Sequence, residues 1–98
     1  MWRHGDVFIA AVDAIPGNAL RRPGFVLAEG EATGHSHRID RPGAAELLER
    51  GESLYLRVLA ETAAVIHQEY RPIALPRGLY RVWQQREYSP AAIRTVRD

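Results

Sequence analysis

Short apolar runs follow one another along the whole chain, separated by glycine or proline about every eight to twelve residues. This spacing predicts several short β-strands rather than a helical bundle. Residues 7–12 are apolar on both faces, which predicts a central strand. Residues 53–59 alternate apolar and polar side chains, as a half-buried strand does. The same patterns predict further strands over residues 24–31, 32–40, 63–70 and 79–88.

Residues 44–50 are open to two interpretations. Their Ala, Glu and Leu residues are good helix formers, but seven residues between Gly43 and Gly51 would make a very short helix. A hairpin that turns at Gly51 and joins residues 44–50 to residues 53–59 explains both segments, and we predict it over the helix. Turns and loops are predicted at residues 13–23 and 76–78.

The end of the chain carries a helix signal. Ser89 is a favoured N-cap residue, and Pro90 is tolerated at the first helical position because its missing N–H would be unpaired there. We therefore expect a mainly β fold: a small antiparallel barrel or sandwich of about seven short strands with a short C-terminal helix, forming a single domain over residues 1–98.

Composition narrows the class of protein. The 98 residues are 46% apolar and 26% charged, which is typical of a single globular domain. No apolar run approaches the roughly 18 residues of a membrane helix, and Asp6 and Asp13 flank the longest early run, so neither a membrane span nor a signal peptide is expected. The absence of cysteine excludes disulfides and thiolate chemistry. We expect a cytoplasmic protein that does not contact a membrane.

Charge is unevenly distributed along the chain. Residues 29–70 hold four arginines against eight acids, and residues 71–98 hold six arginines against two acids. Such a division favours association with a protein partner or with further copies of the chain, in a non-catalytic or self-assembling accessory role. Nucleic-acid binding is the less favoured alternative, since the sequence pI of 8.3 is below the value of about 9 expected of a nucleic-acid-binding domain.

Two short motifs carry candidate chemistry. His35 and His37 are two residues apart, and so are His67 and Glu69. Side chains at i and i+2 leave the same face of a strand, so each pair presents two possible ligands side by side. If the two strands are neighbours, three imidazoles and a carboxylate converge, which suits a divalent transition metal such as Zn, Fe, Mn or Ni.

These motifs leave the function open. A metal held by them would act as a Lewis acid or activate a bound water, but no residue is predicted to be catalytic. A polar pocket without metal, or solvated surface histidines, would produce the same spacing. The preferred hypothesis is a small metal-binding β-barrel, with the interaction module as its alternative.

The motifs also support a resemblance. The chain contains Thr-Gly-His-Ser-His-Arg at residues 33–38, His-Gln-Glu at residues 67–69 and Gln-Arg-Glu-Tyr at residues 85–88. It resembles a group of small uncharacterised bacterial and phage proteins with this pattern, and the resemblance covers nearly the whole chain. It implies membership of that group and no particular activity.

Two details qualify the predicted site. Members of the group have a second histidine where this chain has Tyr70, which in an extended strand would point away from His67 and Glu69. The site is also similar in geometry to cupin metal sites, which combine a His-x-His pair, a carboxylate and a later histidine on a β-barrel. The order of these groups differs here, and the chain is shorter than a cupin domain.

Overall fold

The computed structural model describes residues 1–29 and 34–85, which form an antiparallel sheet of eight strands without a helix. The strands are β1 (Trp2–His4), β2 (Val7–Ala11), β3 (Leu20–Arg22), β4 (Val26–Glu29), β5 (Ser36–Ile39), β6 (Ala45–Arg50), β7 (Ser53–Ile66) and β8 (Ile73–Gln84). Their order is β1-β2-β8-β7-β5-β4, and β6 joins β3 to β7. Within the described residues the end strands β1 and β4 do not pair with each other, so the mainly β prediction is confirmed but the sheet is not closed into a barrel.

A bulge divides the long strand β7 into two parts. The register with β8 shifts between Val58 and Thr62, and the Ala44 carbonyl accepts hydrogen bonds from the successive amides of Leu59 and Ala60 at 2.8 and 3.1 Å. A bulge of this kind bends a strand and ends its regular pairing. Accordingly β7 pairs with β6 before the bulge and with β5 after it, while β8 follows both parts.

Both parts of the bent sheet contribute to one apolar core. Leu56 from before the bulge and Val65 from after it are both fully buried, and full burial of such a side chain contributes about 1.5–3 kcal/mol. The members of the core are Val7, Ile9, Leu27, Ile39, Ala44, Leu47, Leu56, Val58, Ala63, Val65, Leu75, Tyr80 and Val82. The two parts therefore pack against each other.

Several sequence predictions can be compared with these strands. The hairpin at Gly51 is confirmed, since β6 pairs with β7 across it and Gly51 has a φ of 60°. The turn predicted at residues 76–78 is wrong, because β8 continues through it. Among the described residues this part of β8 pairs with β7 alone, and proline within sheets is tolerated on strands with one unpaired side.

Other boundaries also differ. The loop predicted over residues 13–23 includes β3, which pairs with β6. The strand predicted over residues 63–70 ends at Ile66, and residues 68–70 form a bend. The helix predicted from Ser89 lies outside the described residues. Over the residues that are described, there is no helix with the length and apolar character needed to cross a membrane.

Candidate functional site

All four histidines of the chain lie in one cluster at one side of the sheet. His4 ends β1, His37 lies in β5, and His67 directly follows β7, while His35 precedes β5. The ring centroids are 4.4 Å apart for His37 and His67, 5.0 Å for His4 and His37, and 5.4 Å for His35 and His67. The four rings, from segments distant in the sequence, thus lie next to one another.

The pairing of β5 with β7 positions two of these rings. Arg38 lies opposite Ile66, so continuing the register by one residue brings His37 opposite His67. One residue further, the Ser36 amide donates a hydrogen bond to Oε1 of Gln68 at 3.0 Å. Strands β5 and β7, beside which the two motifs lie, are therefore neighbours, but the prediction that His67 and Glu69 share one face of a strand is wrong, because β7 ends at Ile66.

A tight turn positions the third histidine. Gly5 and Asp6 connect β1 to β2, and Gly5 has a φ of 66°. A Cβ atom built on Gly5 would lie 2.5 Å from the ring of Tyr70, so this ring packs directly on the turn. The turn also holds His4 and Asp6 two residues apart against β5.

The hydrogen bonds of the two buried rings define their tautomers. Nε2 of His4 lies 2.8 Å from the Arg71 carbonyl, which only accepts, so this nitrogen carries a proton. Nδ1 of a neutral His4 then presents a lone pair to Nδ1 of His37, which is 2.9 Å away and must donate. A neutral His37 is consequently unprotonated at Nε2.

That Nε2 atom faces a carboxylate. It lies 3.4 Å from Oδ1 of Asp6, whose other oxygen accepts a hydrogen bond from the Gln84 side-chain amide at 2.7 Å. His37 is 4% exposed and its hydrogen-bonding partner His4 is 3% exposed. A nitrogen lone pair and a carboxylate oxygen thus meet at one point, and such a pair is stable when a cation lies between them, either a proton or a metal ion.

The other predicted ligands form the wall beside this pair. Nδ1 of His35 lies 3.7 Å from Oε2 of Glu69, and the Glu69 amide donates to Nδ1 of His67 at 3.0 Å. The cavity has a volume of about 350 Å³, and its lining is formed by Asp6, His35, His37, His67, Glu69, Tyr70 and Gln84. The four residues that the sequence singled out therefore share one cavity.

Tyr70 does not lie where an extended strand would have put it. Because β7 ends at Ile66, the bend returns the Tyr70 ring to within 4.6 Å of His67 and stacks it 5.7 Å from His37. The prediction that Tyr70 points away from the site is wrong. It covers the histidine pair from the side of the Gly5 turn.

Electrostatics keep two of the rings neutral. Burial lowers the pKa of His37 below 6.5, and the neighbouring His67 and His4 lower it further, while Asp6 acts in the opposite direction. The pKa of His67 is also lowered, by burial first and then by His35 and His4. Near neutral pH these imidazoles therefore offer lone pairs rather than N–H⁺ groups.

His4, Asp6 and Tyr70 were not predicted as site residues. A signal for the first two was available, because Gly-Asp between two extended runs is typical of a two-residue hairpin turn. That hairpin pairs His4 with Val7, so His4 and Asp6 lie together at its turn. No comparable signal exists for Tyr70, whose position depends on where β7 ends.

Comparison with known proteins gives a family but no activity. A family model described as a domain of unknown function (DUF8820) matches residues 3–85. No curated protein and no solved structure matches the chain. Over residues 1–29 and 34–85, no group of three or more His, Asp or Glu side chains has a geometry that could hold a metal ion.

Proposed function

The chain belongs to the DUF8820 family of domains of unknown function, and we propose that it binds a divalent transition metal, of the class of Zn, Fe, Mn or Ni, in the histidine cavity. The first two ligands are Nε2 of His37 and the carboxylate of Asp6. His35, His67 and Glu69 line the same cavity and would have to move towards this pair to act as further ligands. Imidazole and carboxylate donors are the combination that these metals accept.

The pairing of His37 with Asp6 carries this proposal. Two ligands that bind one tetrahedral ion at about 2.1 Å lie about 3.4 Å apart, and the two atoms are 3.4 Å apart. The low pKa of His37 means that a proton competes weakly for the same lone pair. A metal ion would satisfy both groups.

Contacts behind His37 support the same proposal. Metal-bound imidazoles usually donate their second N–H to a neighbouring acceptor, which fixes the tautomer and the orientation of the ring. His37 donates from Nδ1 to His4, which in turn donates to the Arg71 carbonyl. These two hydrogen bonds leave Nε2 of His37 as the coordinating nitrogen.

His67 joins such a site less readily than His37. Its Nδ1 accepts the Glu69 amide hydrogen bond, so Nε2 of the neutral ring carries the proton. Coordination through Nδ1 would displace this hydrogen bond. Coordination through Nε2 would require the proton to be on Nδ1, which could then no longer accept the hydrogen bond. We therefore rank His37 and Asp6 above His67 as ligands.

A metal in this position would act as a Lewis acid towards a small oxygen-containing ligand, or lower the pKa of a bound water. The cavity of about 350 Å³ has room for such a ligand beside the rings. The function proposed is metal binding, and catalysis by the bound metal would be a consequence of it.

The test is metal analysis of protein purified without a histidine tag, followed by titration of the metal-free protein with Zn²⁺ and Co²⁺. We expect about one equivalent of bound metal, and a higher melting temperature with metal because the ion binds the folded state alone. Asp6→Asn and His37→Gln should each reduce the affinity more than His67→Gln does. Asp13→Asn, which changes an exposed aspartate of the loop before β3, is the matched control.

Two results would overturn the proposal. One is less than about a tenth of an equivalent of metal together with no change in melting temperature on adding it. The other is metal binding that survives both His37→Gln and Asp6→Asn, since binding would then occur elsewhere on the chain.

A further inference from the structure

A second cavity lies where the pairing of β7 with β8 ends. The last opposed residues of these two strands are Leu54 and Val82, whereas β8 continues along β2 as far as Gln84. The cavity lies beside this extension of β8 and has a volume of about 590 Å³, within the range of about 300–1,000 Å³ typical of small-molecule sites. Among the described residues it shares Gln84 alone with the histidine cavity, so the two are separate neighbours.

Aliphatic side chains of the core form the floor of this second cavity. Val7, Leu27 and Val82 line it, and all three are buried members of the apolar core. Leu54 and Ala28 line it as well and pack against the same core. Because apolar surface is stabilised by removal from water, this floor favours a ligand with an apolar body.

An arginine lies on the same face of the sheet as this floor. Arg22 is opposite Leu47, and Leu47 is opposite the fully buried Leu56. Directly opposed residues share a face, so Arg22 is on the core side, where it lines the cavity. Its ion pair with Glu49 is 4.0 Å long and exposed on both sides, and such a pair contributes little to stability. The Arg22 guanidinium can therefore bind a ligand at small cost.

The lining contains one further cation and one anion. Arg81 lies on the other face of β8, with its guanidinium 5.7 Å from the centroid of the Trp83 ring, and it forms no ion pair among the described residues. Glu52, in the hairpin turn, supplies the one carboxylate of the described lining. With two guanidiniums, one carboxylate and no imidazole, this part of the lining favours an anion over a metal ion.

We propose that the second cavity binds a small organic acid with an apolar body. The aliphatic floor covers the body, and the Arg22 guanidinium binds the carboxylate, whose two oxygens match two of its N–H donors. An inorganic anion would leave the floor uncovered. A neutral or cationic apolar molecule would leave Arg22 without a ligand contact. The proposal does not depend on a metal ion in the histidine cavity.

The test is calorimetric titration of the full chain in EDTA, with octanoate, 1-octanol, octylammonium and inorganic phosphate as probes. At about pH 8 the first is an anion, the third is a cation and 1-octanol is neutral, while the apolar chain is the same. EDTA removes bound metal, so the outcome is independent of the metal proposal. We expect octanoate to bind most tightly, and the affinity to fall about fourfold for each CH₂ group removed from it.

Substitution of Arg22 tests the contact with the carboxylate. Arg22→Gln should weaken octanoate binding about tenfold or more and leave 1-octanol binding unchanged, which also shows that the variant is folded. Arg21→Gln is the matched control, because Arg21 is on the same strand but on the other face, opposite Leu48, and is not part of the cavity lining. Glu52→Gln removes the opposing charge and should strengthen octanoate binding.

Tryptophan fluorescence locates the ligand. The chain has two tryptophans. Trp83 lines the second cavity, whereas Trp2 packs edge-on against the buried Tyr80. In a Trp2→Phe background, the emission of Trp83 should change on addition of octanoate with the same dissociation constant as the calorimetric titration gives.

Three results would contradict this assignment. The first is no binding of octanoate at about 10 mM. The second is equal affinity for octanoate and 1-octanol, or an octanoate affinity that Arg22→Gln leaves unchanged, since the carboxylate would then not be recognised. The third is tighter binding of phosphate or of octylammonium than of octanoate, because the ligand would then lack either the apolar body or the negative charge.

Discussion

The Nδ1 atoms of His4 and His37 are 2.9 Å apart, and only one of them can donate. Because the Arg71 carbonyl requires a proton on the other nitrogen of His4, the donor is His37. One backbone carbonyl thus selects, through two rings, which nitrogen of His37 faces Asp6. Nothing in the local sequence of residues 35–38 specifies this tautomer.

Replacing His4 with phenylalanine should weaken both folding and metal binding. The buried Nδ1–H of His37 and the Arg71 carbonyl would each lose a partner, which costs about 1–3 kcal/mol for each buried group left unsatisfied. Loss of such a supporting contact typically weakens metal affinity about 10–100-fold. Urea unfolding and Zn²⁺ titration measure the two effects. His4→Gln, which has both a donor and an acceptor, should recover part of each, and equal effects of both substitutions would contradict the assigned tautomers.

Replacing Asp6 with asparagine should lower the pKa of His37 further. Asp6 is the group that raises this pKa against burial and the neighbouring rings, so removing its charge leaves only the lowering influences. Asparagine has nearly the same shape and can still accept the hydrogen bond from Gln84. NMR titration of the ¹⁵N-labelled imidazoles measures the shift, with Asp13→Asn as the control. A His37 pKa that is unchanged in Asp6→Asn would show that the two groups do not interact.

The metal-free protein should lose stability as the pH falls below about 6.5. The pKa values of His37 and His67 are lower in the folded state than the ordinary 6.5, so the unfolded chain takes up protons first as the solution is acidified. The contribution of the two neutral imidazoles to the free energy of unfolding is therefore fully present above this pH. It decreases as the pH falls, until the folded state also binds the protons. Urea unfolding in EDTA between about pH 8 and pH 5 measures this dependence. His37→Gln should flatten the curve, and an unchanged slope in that variant would contradict it.

Much of the sheet is predictable because alternation and glycine positions are local signals. The hairpin at Gly51 follows from them. The adjacency of the two motifs does not, because it depends on the long-range pairing of β5 with β7. The extent of β7 does not, because the apolar pattern runs past Ile66 and the bend after it depends on Tyr70 packing against Gly5. The bulge at Leu59 and Ala60 is likewise set by a distant carbonyl, that of Ala44.

Some residues of the candidate site can likewise be identified from the sequence, and others cannot. Spacing singles out His35, His37, His67 and Glu69, although of these four only His37 lies within a strand. His4 and Asp6 come from a hairpin about thirty residues earlier in the chain, and they reach the site only because the bent sheet packs its two parts together. Asp6, one of the two ligands ranked highest, thus lies outside both histidine motifs.

Replacing Gly5 with alanine should destabilise the protein for two separable reasons. A φ of 66° is strained for alanine, which costs about 1–3 kcal/mol, and the new methyl group would lie 2.5 Å from the Tyr70 ring. Gly51 has a similar φ of 60° but no atom within 4 Å of an added Cβ, so Gly51→Ala is the matched control for strain alone. Urea unfolding should show a larger loss for Gly5→Ala than for Gly51→Ala. The added Tyr70→Ala substitution should remove the excess, and if the two alanine variants lose equal stability, Tyr70 does not pack on the turn.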